Sequence, residues 1–153
     1  MANTYTQLYA QLIFSPEGRQ NLIQERIKND VYKYVSGIIK NKNQKLMAIN
    51  GMPDHVHILI GFSPDIALSV LVRDIKSSTT NYINEQKFIA GKFSWQSGFG
   101  AFTYSKSQVM KVVSYIQRQE EHHKKKSFRE EYLELLKKFE VGHNEKYLFE
   151  WYE

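Results

Sequence analysis

The sequence contains no cysteine, and this absence excludes several kinds of chemistry at once. Disulfide bonds, zinc sites built from thiolates and cysteine nucleophiles cannot occur in it. The sequence also lacks an apolar run long enough to span a bilayer, and its first residues do not have the pattern of a secretory signal. We therefore expect a soluble, cytoplasmic protein with no membrane partner.

Length and composition are ordinary and set only broad limits on function. The 153 residues are enough for one domain with its own core and too few for two. A formal net charge of +5 permits a polyanionic partner without requiring one. Aromatic residues, at 14%, would suit stacking on the bases of single-stranded nucleic acid, and they would suit an ordinary core nearly as well.

Hydrophobic periodicity predicts six elements before residue 105. In order they are strand, helix, strand, strand, helix and strand, at about 5–14, 20–42, 46–50, 55–61, 63–86 and 99–104. This order is that of the α+β, ferredoxin-like split-βαβ sandwich, an antiparallel sheet with two helices on one face. The other face of the sheet would then be open for a ligand. The second helix is expected to begin with Ser63 as its N-cap and Pro64 in its first turn.

Two histidines stand two residues apart in the third predicted strand. Side chains alternate across a strand, so His55 and His57 share one face, while Val56, Ile58 and Ile60 occupy the other. Two neighbouring imidazoles on a rigid strand make half of a metal site. A histidine pair of this kind can also consist of ordinary, half-buried side chains, so the rest of the chain has to decide between the two interpretations.

The helix predicted after residue 105 carries a second set of polar side chains. A capping box at 105–108 indicates its start, and the pattern continues to about Lys126. Tyr115, Gln119 and His122 are spaced so that they share one face. By themselves they describe a polar helix flank. Beside the two histidines, Gln119 could supply a third ligand and Tyr115 could direct its hydroxyl at a phosphate.

Three segments of the chain resemble the single-tyrosine HUH transposases of the insertion-sequence 200/605 type, in the same order and spacing. Pro53–Leu59 resembles their His-hydrophobe-His motif, Tyr115–Lys126 their catalytic helix, and Trp95–Phe102 a further stretch. The resemblance covers nearly the whole chain. It implies a single domain at 1–153, with a ferredoxin-like core at about 4–104, a tyrosine helix at about 106–126, and a C-terminal helix and tail at about 128–153.

The resemblance also implies a reaction. In that family a tyrosine attacks a phosphodiester in single-stranded DNA, leaving a 5′-phosphotyrosine link and a free 3′-hydroxyl. Tyr115 would be the catalytic nucleophile, and His55, His57 and Gln119 would bind a divalent metal ion, Mg²⁺ or Mn²⁺. Tyr104 is an alternative nucleophile, although it has no glutamine one helical turn later.

No acidic metal ligand is apparent, and Asp54 or Glu120 is expected only to support the ligands from outside. His123 is expected to point away from the tyrosine and to be exposed. A capping box at 127–130 predicts a last helix that ends near residue 141, and the apolar tail at 147–151 is expected to dock on its own domain or on a partner copy.

The partners implied by the resemblance are imperfect DNA hairpins and a second copy of the chain. Family members act as homodimers in which the tyrosine helix can serve the partner's site. Candidate DNA contacts are Lys124, Lys125 and Lys126 after the tyrosine, with Arg73 and Lys76 on the second helix. Runs of lysine are more often simply solvated than bound to phosphate.

Two other functions fit parts of the pattern. The same sandwich serves non-catalytic modules that bind single-stranded nucleic acid, and such a module would have no need to combine Tyr115, Gln119 and two histidines. A domesticated HUH nuclease that cuts repeated hairpins would differ from a transposase in its substrate only. The sequence does not separate these last two.

Overall fold

The computed structural model describes residues 3–152, and its centre is a four-stranded antiparallel sheet. The strands are Leu8–Phe14 (β1), Lys45–Met52 (β2), His55–Phe62 (β3) and Gly100–Tyr104 (β4). They lie in the order β2-β3-β1-β4, so β3, which carries both histidines, is one of the two central strands. With one helix after β1 and another after β3, this is the split-βαβ arrangement, and the predicted fold class is confirmed.

Five helices accompany the sheet within residues 3–152. They are Glu25–Asn41 (α1), Leu68–Gln86 (α2), Lys106–Gln117 (α3), Gln119–His122 (α4) and Phe128–Lys138 (α5). Short 3-10 turns lie at Arg19–Asn21 and Glu145–Tyr147. None of these helices is long and apolar enough to cross a membrane. The predicted domain limits of 1–153 stay a prediction, because Met1, Ala2 and Glu153 lie outside the described residues.

One face of the sheet packs against α1 and α2. Val56, Ile58 and Ile60 project from it and are buried with Val35 and Ile75 of the two helices. The alternation read from the sequence is therefore correct, since the histidines must then lie on the opposite face.

The second face is covered, and the prediction of an open face was wrong. Leu59 lies there against Val109 and Ile116 of α3, and Phe102 lies there with its ring centroid 4.9 Å from that of Phe139, just beyond α5. Both helices carry an apolar stripe that has to be removed from water, and this face is the surface available to them. The two histidines are consequently covered by α3 and α5 and are buried.

Several element boundaries differ from the prediction for identifiable reasons. The backbone N–H of Ser63 donates to Gln44 Oε1 at 2.8 Å, and the helix begins only at Leu68, with Ala67 as its N-cap. The first helix begins at Glu25 because a 3-10 turn occupies 19–21. The last helix ends at Lys138, and Glu140 then turns the chain with φ 54°.

The predicted tyrosine helix at 106–126 is interrupted. Its capping box forms as expected, with the Ser105 N–H donating to Gln108 Oε1 at 3.0 Å. The helix then ends at Gln117, because Arg118 takes φ −101° and ψ 28°, and the short α4 follows. The interruption changes which side chains after residue 118 face inward.

The C-terminal tail packs on its own chain, as the sequence allowed. Phe149 is buried against Tyr132, with ring centroids 5.2 Å apart. The backbone N–H of Glu150 donates to Gln96 Oε1 at 2.7 Å, and that of Gly18 donates to the Tyr152 hydroxyl at 2.7 Å. These contacts fix α5 and the tail against the sheet.

The packing of α5 can be tested at Gly100. A Cβ atom there would lie 2.6 Å from the hydroxyl oxygen of Tyr132 and 2.7 Å from its ring. Since Tyr132 would have to move, we expect Gly100→Ala to lower the free energy of unfolding by about 1–3 kcal/mol, measured by urea denaturation. The control is Gly37→Ala in α1, where a Cβ meets nothing within 4 Å and about 0.5–1 kcal/mol of stabilisation is expected. An unchanged midpoint for Gly100→Ala would mean that α5 is not held against β4.

Candidate active site

The two histidines of β3 are buried between the sheet and the C-terminal helices. His57 pairs across the sheet with Ile13 and Asn50, and His55 pairs with Met52 at the start of β3. Their ring centroids lie 5.0 Å apart. Gly51 permits the tight turn that brings β2 to β3, because a Cβ at that position would collide with the His55 carbonyl. The sheet itself therefore fixes the distance between the two imidazoles.

Each of these imidazoles is oriented by a partner on its Nδ1 side. His55 Nδ1 lies 2.7 Å from Asp54 Oδ1, and the Phe128 ring stacks on His55 with centroids 4.0 Å apart. Burial is the largest single influence on Asp54 and would raise its pKa, but the hydrogen bond from His55 and the charge interactions with His55 and His123 together outweigh it, so the pKa is lowered. His57 Nδ1 lies 3.3 Å from Gln11 Oε1. Asp54 thus orients His55 through its Nδ1 atom, as expected. The Nε2 atoms of His55 and His57 can then face another partner.

Gln119 and His123 bring two further donor atoms to the same place. Gln119 Oε1 lies 3.0 Å from His55 Nε2 and 3.0 Å from His123 Nε2. The prediction that His123 is exposed was wrong. The break at Arg118 and the turn after α4 direct His123 inward, where its Nδ1 lies 2.7 Å from the Lys126 carbonyl oxygen.

Glu131 is the functional residue that sequence reasoning missed. Its carboxylate is 2% exposed, and Oε1 lies 2.9 Å from His57 Nε2, 3.2 Å from His123 Nε2 and 3.5 Å from His55 Nε2. Burial raises the pKa of Glu131 to about 7. A signal was present, because Glu131 stands three residues after Phe128 and four before Leu135, which places an acid on the apolar side of α5.

The protonation of these groups is compatible with a bound cation. Burial, together with the neighbouring His55, lowers the pKa of His57 and lowers that of His123 to about 4, so both rings are neutral near pH 7. Their Nδ1–H groups donate to Gln11 and to the Lys126 carbonyl. Each Nε2 lone pair therefore faces a Glu131 oxygen, an arrangement that either a proton on this carboxyl or a bound cation would stabilise.

The distances between these atoms fit a divalent metal ion. The ligand atoms of His55, His57, His123 and Glu131 all lie within 4.8 Å of one another. Adjacent ligands of an octahedral ion with bonds of about 2.1 Å stand about 3 Å apart, close to the spacing between Glu131 and the nearer imidazoles. Neutral imidazoles, an amide oxygen and a carboxylate are all ordinary ligands for Mn²⁺, and the oxygens suit Mg²⁺. This group of side chains could bind such an ion.

Tyr115 lies at the edge of the cluster, on α3. Its hydroxyl donates a hydrogen bond to Glu131 Oε2, and His122 Nε2 lies 3.5 Å from the same hydroxyl. Gln119 Nε2 donates to Glu131 Oε2 at 3.3 Å, which fixes the amide so that its oxygen faces the imidazoles. One carboxylate therefore connects the tyrosine with the histidines, and all of these contacts lie within one chain.

The predicted DNA-contacting lysines fall into two groups in the structure. Lys124, Lys125 and Lys126 line a cavity of about 540 Å³ beside Tyr115. Arg73 and Lys76 belong to α2, which covers the opposite face of the sheet.

The two α2 side chains already have partners in the protein. The Lys76 ammonium donates to the Gln96 carbonyl at 2.9 Å and to the Gly98 carbonyl at 2.6 Å, and burial lowers its pKa to about 8. Arg73 is exposed, with Nε 3.4 Å from Asp74 Oδ1. The structure does not bring these two cations to the tyrosine, and a role for them in DNA binding stays a prediction.

The family of the chain follows from comparison with known families. Residues 4–119 match the model of a family described as transposase, IS200-like. The chain belongs to the IS200-like transposase family. The resemblance read from the histidine and tyrosine motifs is thereby confirmed, and the protein is a transposase by family. The matched range contains Tyr115 and Gln119 and ends before α5, the helix that carries Glu131.

Solved structures show the same fold. The chain is similar to a transposase candidate from Deinococcus radiodurans R1, with a TM-score of 0.60 and 20% identity, over 76% of this chain and 94% of that one. It is also similar to a REP-associated tyrosine transposase bound to a REP hairpin, with a TM-score of 0.61 and 15% identity, over 79% of this chain and 72% of that one. The comparison with curated proteins gave no match.

The place of Glu131 in the metal site predicts a loss of affinity on substitution. We expect Glu131→Gln to weaken Mn²⁺ binding at least about tenfold, because it removes the carboxylate that faces the Nε2 atoms of the three imidazoles. Isothermal titration calorimetry measures this without reference to activity. Glu130→Gln, an exposed neighbour on the same helix, is the matched control and should bind like the unaltered protein. Equal affinities for the two variants would remove Glu131 from the ligand set.

Proposed function

We propose that this transposase cleaves and rejoins single-stranded DNA at hairpin-marked ends of an insertion sequence, through a 5′-phosphotyrosine intermediate. The observation that carries the proposal is the position of the Tyr115 hydroxyl. This hydroxyl donates a hydrogen bond to Glu131 Oε2. The other carboxylate oxygen, Oε1, faces three imidazoles in a cluster suited to a divalent ion. A structural tyrosine would not need this combination of neighbours.

His55, His57 and Gln119 would hold the metal ion, Mg²⁺ or Mn²⁺, as the resemblance implies. Glu131 and His123 stand within the same group and are additional donors. When bound, such an ion polarises the scissile phosphate and stabilises the negative charge that develops on it. Asp54 holds the His55 ring in the orientation that leaves its Nε2 directed at this position.

Tyr115 would carry the covalent chemistry. Its phenolic oxygen forms a bond to phosphorus while the bond from phosphorus to the 3′ oxygen breaks, and the electron pair leaves with that oxygen, which takes a proton from solvent. The pKa of a free phenol is about 10, so its proton needs an acceptor. Glu131 Oε2 already accepts the hydrogen bond of this hydroxyl and is the nearest base for that proton. Since the phosphotyrosine keeps the energy of the broken bond, rejoining needs no nucleotide cofactor.

Hairpin DNA is the proposed substrate. The REP-associated tyrosine transposase with the same fold is bound to a REP hairpin, which supports a hairpin ligand for this chain. The phosphates next to Tyr115 would be contacted by Lys124, Lys125 and Lys126, because these three lysines and Tyr115 line the same cavity.

A homodimer is also proposed. Because the tyrosine and the histidines meet within one chain, each subunit would be able to cleave by itself, and dimerisation would serve the exchange of strand ends.

Substitution of Tyr115 tests the proposal directly. With Mn²⁺ and a library of single-stranded hairpins, we expect the unaltered protein to form covalent protein–DNA adducts on denaturing gels and Tyr115→Phe to form none. The phenylalanine lacks the attacking oxygen. Tyr104→Phe, which removes the alternative nucleophile, should retain adducts, and chelation of the metal should abolish them.

Other outcomes would favour the alternatives. Metal-dependent cutting without any adduct would mean that water is the nucleophile. Binding without cutting across the whole library would point to a non-catalytic single-strand-binding module. Adducts formed only with repeated hairpins that flank no mobile element would indicate a domesticated nuclease.

A further inference from the structure

A second cavity, separate from the one lined by Lys124–Lys126, also borders Tyr115. It lies between β4, α3 and α5 and has a volume of about 440 Å³. We call it the α3–α5 cavity. We propose that it holds a nucleotide next to the scissile phosphate, so that single-stranded DNA runs through it and past Tyr115 toward the three lysines. This inference rests on the proposed function and adds a binding site to it.

The position of the α3–α5 cavity is the first argument. Tyr115 and His122 line both this cavity and the one formed with Lys124–Lys126. A phosphate attacked by Tyr115 has a nucleotide on its 5′ side and another on its 3′ side. The strand therefore needs two ways out of the site, and the two cavities provide them.

The walls of the α3–α5 cavity suit a nucleobase and its phosphate. Tyr104, Val112 and Leu135 contribute an aromatic ring and two aliphatic side chains to its lining. An apolar surface with an aromatic ring is the kind on which a base of a single strand can stack. The volume also lies within the range of about 300–1,000 Å³ that is usual for sites of small ligands.

Charge at the rim favours an anion. Lys111 of α3 and Lys138 of α5 line opposite walls. Within residues 3–152, neither ammonium takes part in an ion pair. Two acids also line the cavity: Glu134 is paired with Lys126 at 2.6 Å, and Glu131 faces the imidazoles of the cluster. Two cations without carboxylate partners at the mouth of a cavity attract the phosphates of a strand.

The wall formed by α5 lies outside the region that matches the family. The family match covers residues 4–119, and Leu135 and Lys138 lie beyond it. We therefore infer that the C-terminal helix determines which flanking nucleotide is accepted, whereas the matched region supplies Tyr115, His55 and His57.

The first test measures charge contacts. A fluorescein-labelled DNA hairpin with single-stranded thymidine flanks is titrated with the unaltered protein and with a Lys111→Ala, Lys138→Ala double variant, and binding is followed by fluorescence anisotropy. Each phosphate contact on a single strand contributes about 0.7 to the slope of log affinity against log salt, so the double variant should lose about 1.4 in slope and roughly tenfold in affinity at 0.1 M salt. A Lys33→Ala, Lys40→Ala variant on α1 removes the same charge from a helix on the other face of the sheet and should lose neither. Equal losses in the two double variants would overturn the proposal.

The second test locates the strand. The same hairpin carries photoreactive 4-thiothymidine in its flanks and is irradiated with Tyr115→Phe protein, which keeps the complex uncleaved. We expect crosslinks in the segments 104–112 and 132–138, mapped by mass spectrometry, and crosslinks confined to other segments would exclude the α3–α5 cavity. Adduct formation by the unaltered protein is scored on the same DNA. Adducts without crosslinks in these segments would leave the proposed function standing and remove only the path of the strand.

Discussion

The burial of one carboxylate among three imidazoles is the interaction on which the site depends. Burial of an ionised Glu131 costs free energy and raises its pKa to about 7, and the hydrogen bonds from the Tyr115 hydroxyl and the Gln119 amide offset only part of that cost. Two of the imidazoles are held neutral by burial and offer it lone pairs rather than protons. A divalent ion would satisfy all of these atoms together, which explains how so many acceptors come to face one another in the protein interior.

This arrangement makes the C-terminal segment a structural part of the site. α5 supplies Glu131, stacks Phe128 on His55 and presses Tyr132 against Gly100 of β4. The tail holds α5 in place because Phe149 packs against Tyr132 and the backbone N–H of Glu150 donates a hydrogen bond to Gln96. The family-matched region ends at residue 119, before all of these contacts. The matched region supplies His55, His57 and Tyr115, and the segment that follows it brings His123 and Glu131 to them.

Coverage of the second sheet face has a further consequence for the reaction. α3 and α5 shield the histidines from solvent, yet they leave cavities on both sides of Tyr115. The candidate metal ligands are therefore shielded from water, whereas Tyr115, the proposed nucleophile, borders two cavities. Low dielectric around the ligands strengthens electrostatic stabilisation of a phosphate, and access at the tyrosine permits a strand to enter and leave.

The sequence by itself determined the features that depend on neighbours along the chain. Alternation placed His55 and His57 on one face, and helical spacing placed Tyr115 near His122, because backbone geometry fixes both patterns locally. The order of the elements was enough for the fold class. The tertiary structure alone decided that α3 and α5 cover the second face, that a break at Arg118 brings His123 inward, and that Glu131 is the central carboxylate. These depend on which apolar stripes compete for the same surface and on contacts between residues far apart in the chain, for which a local pattern carries little signal.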